Sequence, residues 1–142
     1  MIEAQGNMWD YPADYRVITT NGFVKANGEC VMGRGCAKEA KTRFPKLAKE
    51  LGTKIRDEGN KLFYFPSYSL LTFPVKHNWW EKADLRLIKG SAVALAAWLE
   101  SEPDYAVVVL PRPGCGNGQL SWDEVKPILE PTLDDRFHVI TF

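Results

Sequence analysis

The sequence predicts an α/β fold, a three-layer α/β/α arrangement with a mixed, mostly parallel central sheet. Two observations predict it. Strand patterns alternate with helical patterns along the chain, which implies βαβ crossovers. Ala106–Leu110 (AVVVL) is continuously apolar, as is typical of a central strand covered on both faces. The length of 142 residues and 45% hydrophobic content suffice for one core, so we expect a single domain over residues 1–142.

Strands and helices can be assigned from these patterns. The predicted strands are Arg16–Thr20, Leu62–Phe65, Leu70–Phe73, Ala106–Leu110 and Phe137–Phe142, with the first few residues as a further candidate. The predicted helices are Cys36–Leu51, Lys82–Ser101 and Ser121–Leu133. Apolar residues recur at spacings of three and four in the first two helices, and the third opens on a capping box. Pro74 is expected to end its strand and to leave Lys76 in the turn that follows.

Composition excludes several classes of function. The 18 basic residues balance the 18 acidic ones, which argues against binding nucleic acid through a uniform positive field. Cys30, Cys36 and Cys115 form neither a CxxC motif nor an even disulfide framework, and this favours a reducing compartment. With two histidines in the chain, no metal site and no cofactor are expected. The absence of a signal peptide and of a long apolar run predicts a cytoplasmic protein without membrane contact.

Two glycine-rich loops follow predicted strands and precede predicted helices. The first is Thr19–Gly35 and the second is Pro111–Trp122. Glycines let the backbone approach a ligand while its N–H groups converge on phosphate oxygens. Neither loop is a nucleotide fingerprint by itself, since a Gly-Lys-Ser/Thr motif and a full GxGxxG are absent, and each could be a simple tight turn. Their pairing at one sheet edge, where such folds bind ligands, suggests a diphosphate.

A third stretch carries a candidate nucleophile. Lys76 is followed by His77, Trp79 and Trp80. A lysine in such a turn is most often solvated. In a cleft, partial desolvation would lower its pKa and free the amine to attack a carbonyl-like or anomeric carbon. The tryptophans could line that cleft or belong to the core.

Together these three stretches resemble the macrodomain family, whose fold binds ADP-ribose. The segments that carry the resemblance are NGECVMGRGCAKEAKTRFP, FPVKHNWWEKADLRLIKGS and PRPGCGNGQLSW, and they occur in the expected order from about Gly6 to the last strand. The similarity is strongest to the branch that includes the antitoxin DarG and the human terminal ADP-ribose glycohydrolase. From what is usual among members of the family, we also expect a monomeric protein that acts in bacterial or phage defence.

The resemblance implies a set of ligand contacts. Asn7 and Met8 fall at the adenine position, where macrodomains usually have aspartate and an apolar residue, and Asn21 approaches the distal ribose. By the same resemblance, part of the first glycine loop lies near that ribose and the phosphates. Its residues are Gly33, Arg34, Gly35 and Cys36. The residues implied to wrap the diphosphate from the other side are Pro113, Gly114, Cys115, Gly116, Asn117 and Gly118.

The resemblance also implies catalysis. Lys76 matches the lysine that attacks the anomeric carbon in the human glycohydrolase, and with Asn21 it is the candidate catalytic pair. Gly118 stands where that enzyme has its acid, so the partner is missing, whereas DarG has a similar glycine-rich loop. The implied activity is an ADP-ribosyl hydrolase that releases ADP-ribose at the distal C1″ from a nucleobase, as in ADP-ribosylated single-stranded DNA, or from an acidic side chain. The alternatives are a non-catalytic module that binds ADP-ribose or a related NAD-derived molecule, and a phosphatase acting on ADP-ribose 1″-phosphate.

Overall fold

A computed structural model describes residues 1–142 as a six-stranded sheet with four α-helices. The strands are β1 (Ile2–Gln5), β2 (Tyr15–Asn21), β3 (Tyr64–Phe65), β4 (Leu70–Lys76), β5 (Val108–Pro111) and β6 (Phe137–Thr141). The helices are α1 (Gly35–Arg43), α2 (Leu47–Glu58), α3 (Leu85–Leu99) and α4 (Trp122–Leu129). None of the helices combines the length and the apolar character that spanning a bilayer requires.

The sheet is mixed and mostly parallel, as predicted. Its strand order is β1-β6-β5-β2-β4-β3, and all neighbours pair in parallel except β3 and β4. One face packs against α3 and α4 through a cluster that includes Leu95 and Val125, and the other face packs against α1 and α2 through Ala40 and Leu51. The three-layer α/β/α prediction is therefore confirmed. The carboxyl ends of β2, β4 and β5 meet at one edge, where their loops converge.

The single helix predicted over Cys36–Leu51 is wrong, because the chain forms two helices there. Phe44 leaves the helical region with φ −125° and ψ 85°. Proline at position 45 disfavours the helical conformation for the residue before it. The break lets α2 pack closely under the first glycine loop. A Cβ on Gly52 would lie only 2.0 Å from the carbonyl oxygen of Gly28.

The prediction that Pro74 ends its strand is also wrong, because β4 continues to Lys76. The Thr72 N–H points toward the β3 side and donates to the Phe63 carbonyl at 2.9 Å. Two residues later, the nitrogen of Pro74 faces the same side, beyond the last β3 pair at Leu71. Proline therefore removes no ladder hydrogen bond at this edge position.

The capping box predicted at the start of the third predicted helix is confirmed at the start of α4. Ser121 Oγ accepts from the Glu124 N–H at 3.3 Å, and Glu124 Oε1 accepts from the Ser121 N–H at 3.3 Å. This exchange satisfies two N–H groups at the start of α4. It fixes the point at which the second glycine loop enters the helix.

Candidate ligand-binding cleft

A cleft of about 1060 Å³ lies at the carboxyl ends of β2, β4 and β5. This volume is of the size that small-molecule and cofactor sites occupy. Four basic side chains line it, namely Lys25, Arg34, Lys76 and Arg112, whereas Glu39 is its single acidic one. The cleft therefore favours an anionic ligand.

The structure brings together all of the predicted site residues except Pro113. The predicted residues that line the cleft are Asn7, Met8, Asn21, Gly33, Arg34, Gly35, Cys36, Lys76, Gly114, Cys115, Gly116, Asn117 and Gly118. Pro113 is buried and does not line it. The chain turns at Gly114, which has φ +76°, so this wall of the cleft is built from the residues on either side of Pro113.

The side chain of Asn21 fixes the first glycine loop through two hydrogen bonds. Its Nδ2 donates to the Val31 carbonyl at 2.9 Å, and its Oδ1 accepts from the Phe23 N–H at 2.9 Å. The loop then enters α1 at Gly35, which has φ +59°. Arg34 occupies the N-cap position without accepting a side-chain hydrogen bond. No side chain therefore competes with a ligand oxygen for the first N–H groups of α1.

Positions in the second glycine loop favour glycine for two reasons: a positive φ, or too little space for a Cβ. Gly114 has φ +76°, and a Cβ there would lie 2.6 Å from Ile88 Cδ1. Gly116 has φ +67° but faces open space. The Gly118 carbonyl accepts from the Ala83 N–H at 3.0 Å, and a Cβ on Gly118 would lie 3.1 Å from that of Ala83. A larger side chain at position 118 would therefore press against Ala83, in the segment that precedes α3.

Lys76 lies where the two loops meet. Its Nζ donates to the Asn117 carbonyl at 3.1 Å and to the Trp79 carbonyl at 3.3 Å. A Cβ on Gly35 would lie 3.2 Å from Asn117 Nδ2, so the loops approach each other at Asn117. The prediction that Lys76 sits in a turn is wrong, because it ends β4 and pairs in register with Asn21 after a β-bulge.

Burial lowers the pKa of the Lys76 ammonium below its ordinary value, and the positive charge of Arg34 lowers this pKa further. Both causes act against the charged form of the amine. The two carbonyl acceptors hold that charged form in a fixed position. The lysine is therefore oriented toward the cleft and is not a freely solvated surface side chain.

At the other end of the cleft, Asn7 and Met8 lie in a loop that Arg16 holds in place. The Arg16 guanidinium on β2 donates to the carbonyls of Met8 at 2.9 Å, Tyr11 at 2.5 Å and Trp9 at 3.4 Å. The Asn7 Oδ1 accepts from the Trp9 N–H at 2.9 Å, so the loop itself already uses the acceptor expected for adenine. Sequence reasoning missed Arg16, because nothing in a strand pattern marks a side chain that will bind three carbonyls.

His77 and Cys36 carry reactive groups near Lys76 and the first glycine loop, but neither is placed for catalysis. His77 Nε2 lies 2.9 Å from Asp84 Oδ2, outside the cleft lining, so His77 is not placed to act as an acid or base there. Burial raises the pKa of the Cys36 thiol, and its Sγ lies 3.5 Å from Thr19 Oγ1. Cys36 is therefore a protonated packing residue at the start of α1 rather than a thiolate.

Trp79 and Trp80 line the cleft next to Lys76 and are 51% and 57% exposed. The ring centroids of Trp80 and Phe23 lie 5.4 Å apart in an edge arrangement, and those of the two tryptophans lie 5.6 Å apart. The sequence left open whether these rings pack in the core. The structure places them at the surface of the cleft, where about half of each side chain is accessible to a ligand.

Comparison with solved structures gives the fold a name. The macrodomain of Thermus aquaticus DarG matches with a TM-score of 0.80 and 23% identity over 99% of this chain and 96% of that one. The macrodomain of Mycobacterium tuberculosis DarG matches with a TM-score of 0.81 and 24% identity over 98% and 96%. Thermosipho africanus DarTG in complex with ADP-ribose matches with a TM-score of 0.79 and 19% identity over 98% of this chain and 41% of that one. No protein-family model and no curated protein sequence matches. The chain has the macrodomain fold and resembles the DarG macrodomains.

Proposed function

We propose that this chain binds ADP-ribose in the cleft and hydrolyses the bond that joins its distal ribose C1″ to a modified substrate. The observation that carries the proposal is the position of Lys76, at the meeting point of two glycine loops and in register with Asn21. The cationic lining of the cleft suits a diphosphate, and a similar fold, that of Thermosipho africanus DarTG, was solved in complex with ADP-ribose.

The proposed binding mode runs along the cleft. The diphosphate lies between Gly35 at the start of α1 and the Gly114–Gly118 segment, where N–H groups and the helix dipole favour negative charge. The adenosine lies toward Asn7 and Met8, and the distal ribose lies toward Lys76. The matched position of Asn21 supports a contact with that ribose. Its side chain also keeps the first loop in shape through its two hydrogen bonds.

The proposed role of Lys76 is electrostatic. As C1″ separates from its leaving group, negative charge develops on the departing nitrogen or oxygen, and a fixed ammonium stabilises that charge. The two carbonyl acceptors support the ammonium form, whereas attack by the neutral amine would first require the ammonium to lose a proton. Water then adds to C1″ and one of its protons passes to the departing nitrogen or oxygen, which gives free ADP-ribose and the unmodified substrate.

The departing group is proposed to be a nucleobase rather than a carboxylate side chain. Trp79 and Trp80 present half-exposed rings beside Lys76, and every base has a face that can stack on them. A carboxylate substrate would gain nothing from such rings. ADP-ribosylated single-stranded DNA is therefore the preferred substrate, with an ADP-ribosylated acidic side chain as the alternative.

A binding module without catalysis is the second candidate function. The observation that favours it is the lack of an acid in the second loop, where a Cβ on Gly118 would already lie 3.1 Å from that of Ala83. Glu39 is the one carboxylate in the cleft that could activate water. The same cleft would bind ADP-ribose in either case, so binding alone does not separate the two functions.

Release of ADP-ribose tests the proposal. ADP-ribosylated single-stranded DNA and glutamate-modified protein are incubated separately with wild type, Lys76→Met and Lys89→Met, a control in α3 outside the cleft lining. We expect wild type and the control to release ADP-ribose from DNA, and Lys76→Met to be slower by about 100-fold. Equal rates for all three proteins would remove Lys76 from the reaction. Binding of ADP-ribose without any release would favour the binding module.

A further inference from the structure

We propose that Asn60, which lies outside the cleft, is a positioning residue that fixes Lys76 for the reaction. This inference rests on the proposed function, because the residue that Asn60 positions, Lys76, is the one proposed to act on the substrate. Asn60 follows the end of α2 and is half-buried, and it does not line the cleft. It therefore acts through Lys76 and does not touch the ligand.

The end of β4 needs such support because the sheet holds it weakly there. On the outer side, β3 pairs only with Leu70 and Leu71, so the last five residues of β4 have no strand neighbour. On the inner side, the register with β2 shifts between Thr20 and Asn21, immediately opposite Lys76. A bulge locally disrupts the ladder and changes where the next side chain points.

Asn60 supplies a hydrogen bond that the ladder does not. Its Nδ2 donates to the backbone carbonyl of Lys76 at 3.0 Å. The next carbonyl, that of His77, accepts from the Gly22 N–H at 3.1 Å. The two consecutive backbone carbonyls that follow the Lys76 side chain are thus held by residues 60 and 22. The two acceptors of its Nζ lie 3.1 and 3.3 Å away, so a small backbone shift would break them.

Gly22 leaves the space that Asn60 occupies. A Cβ on Gly22 would lie 2.8 Å from both Cγ and Nδ2 of Asn60, closer than real Cβ atoms come to a neighbour. Asn60 is thus packed between Gly22 and the Lys76 carbonyl. The arrangement couples the start of the first glycine loop to the end of β4.

Helix α2 gives Asn60 a rigid base. The helix ends at Glu58, and its C-cap residue Gly59 has φ +94° and donates its N–H to the Ile55 carbonyl. The same helix holds the first loop, since the Ala48 carbonyl accepts from the Cys30 N–H at 2.9 Å. Because both connections come from one helix, α2 sets the distance between the first loop and Lys76. A long-range effect of this kind matters because displacement of a reacting group by about 1 Å can cost about 100-fold in rate.

Two variants remove the support from opposite sides. Asn60→Leu keeps the size and neutrality of the side chain but removes its donor. Gly22→Ala keeps Asn60 but introduces the Cβ that would displace it, and the backbone of Gly22 needs no positive φ. The matched control is Ser101→Ala, which also removes a side-chain donor to a backbone carbonyl, since the Oγ of exposed Ser101 donates to the Trp98 carbonyl at 2.9 Å away from the cleft lining.

The first readout needs no ligand. Protein labelled with [13Cε]lysine is titrated by NMR, and the Lys76 signal is assigned by its loss in Lys76→Met. In both variants we expect the Lys76 pKa to rise toward its ordinary value, because the amine moves into water. The control is expected to match wild type. If Asn60→Leu does not fold, Gly22→Ala tests the same contact.

The second readout separates positioning from binding. We expect kcat for release of ADP-ribose from modified DNA to fall by about tenfold in both variants, with KM and the affinity for free ADP-ribose within about twofold of wild type. An unmoved Lys76 signal, or a change in KM with kcat preserved, would overturn the inference. Absence of ADP-ribose binding by wild type would contradict the proposed function instead, while the NMR titration would still decide whether Asn60 fixes Lys76.

Discussion

Lys76 and Asn117 join the two walls of the cleft, since Nζ of the lysine at the end of β4 donates to the Asn117 carbonyl at 3.1 Å in the second glycine loop. The residue proposed to act at C1″ and the loop proposed to hold the diphosphate are thus one connected structure. The first loop reaches the same point, because a Cβ on Gly35 would contact Asn117. Substitution of any one of these three residues is therefore expected to shift the positions of the other two.

The pH dependence of the reaction distinguishes an ammonium from a free amine. The Lys76 pKa is lowered from its ordinary value, so its charged form is lost as pH rises through that lowered pKa. If the ammonium stabilises the leaving group, kcat stays constant at lower pH and falls with rising pH across the Lys76 pKa. In Lys76→Arg the charge persists, and we expect this fall to disappear. A kcat that increases with pH across this range would show that the neutral amine is the reacting form.

Glycines in the two loops are expected to respond differently to substitution by alanine. Gly114→Ala combines a positive φ with a contact of 2.6 Å to Ile88, so we expect it to lower the free energy of unfolding by about 2–4 kcal/mol. Gly33→Ala meets nothing within 4 Å and has an ordinary φ, so its stability should match wild type. Denaturant unfolding measures both. Equal stability of the two variants would contradict the packing described for the second loop.

Trp80→Ala tests the stacking role of the exposed ring. The side chain is 57% exposed, so its removal should leave the unfolding midpoint nearly unchanged. We expect KM for ADP-ribosylated single-stranded DNA to rise by about tenfold, whereas affinity for free ADP-ribose stays within about twofold, because free ADP-ribose has no base beyond C1″. Tyr105→Ala is the control, since Tyr105 is 83% exposed and lies outside the cleft. Unchanged KM in Trp80→Ala would remove the argument for a nucleobase substrate.

Arg16→Lys tests how far binding depends on the loop at the adenine end. One ammonium cannot reproduce the planar guanidinium contacts to the carbonyls of Met8, Trp9 and Tyr11. We expect stability to fall by about 1–3 kcal/mol and affinity for ADP-ribose to fall as the loop loosens. Affinity for ribose 5-phosphate, which has no adenine, is the internal control and should change less. Equal losses for the two ligands would mean that the loop does not hold adenine.

The fold and the outline of the cleft could be predicted because they depend on patterns within single segments. The apolar run at Val108 and its neighbours marked a central strand, and the glycine loops after two parallel strands had to meet at one sheet edge. The capping box at Ser121 is equally local. Features of this kind need no knowledge of distant contacts.

Most of the errors and omissions have a different cause, namely contacts between residues that are not adjacent in sequence. Strand β4 continues through Pro74 because β3 has already ended beside it. The end of the strand therefore depends on its pairing and not on the proline itself. Arg16 and Asn60 act on backbone carbonyls 8 and 16 residues away, and no residue pattern marks such a contact. The split between α1 and α2 was the one error that a local signal, the proline after Phe44, could have prevented.

Calorimetric titration of the wild-type chain with free ADP-ribose decides whether the cleft binds this ligand. We expect saturable 1:1 binding with a Kd in the micromolar range, and weaker binding of ADP, which has the adenosine diphosphate but no distal ribose beside Lys76. Heat of binding that is absent at high micromolar ADP-ribose would contradict both the hydrolase and the binding module. Equal affinities for ADP-ribose and ADP would contradict the placement of the distal ribose at Lys76.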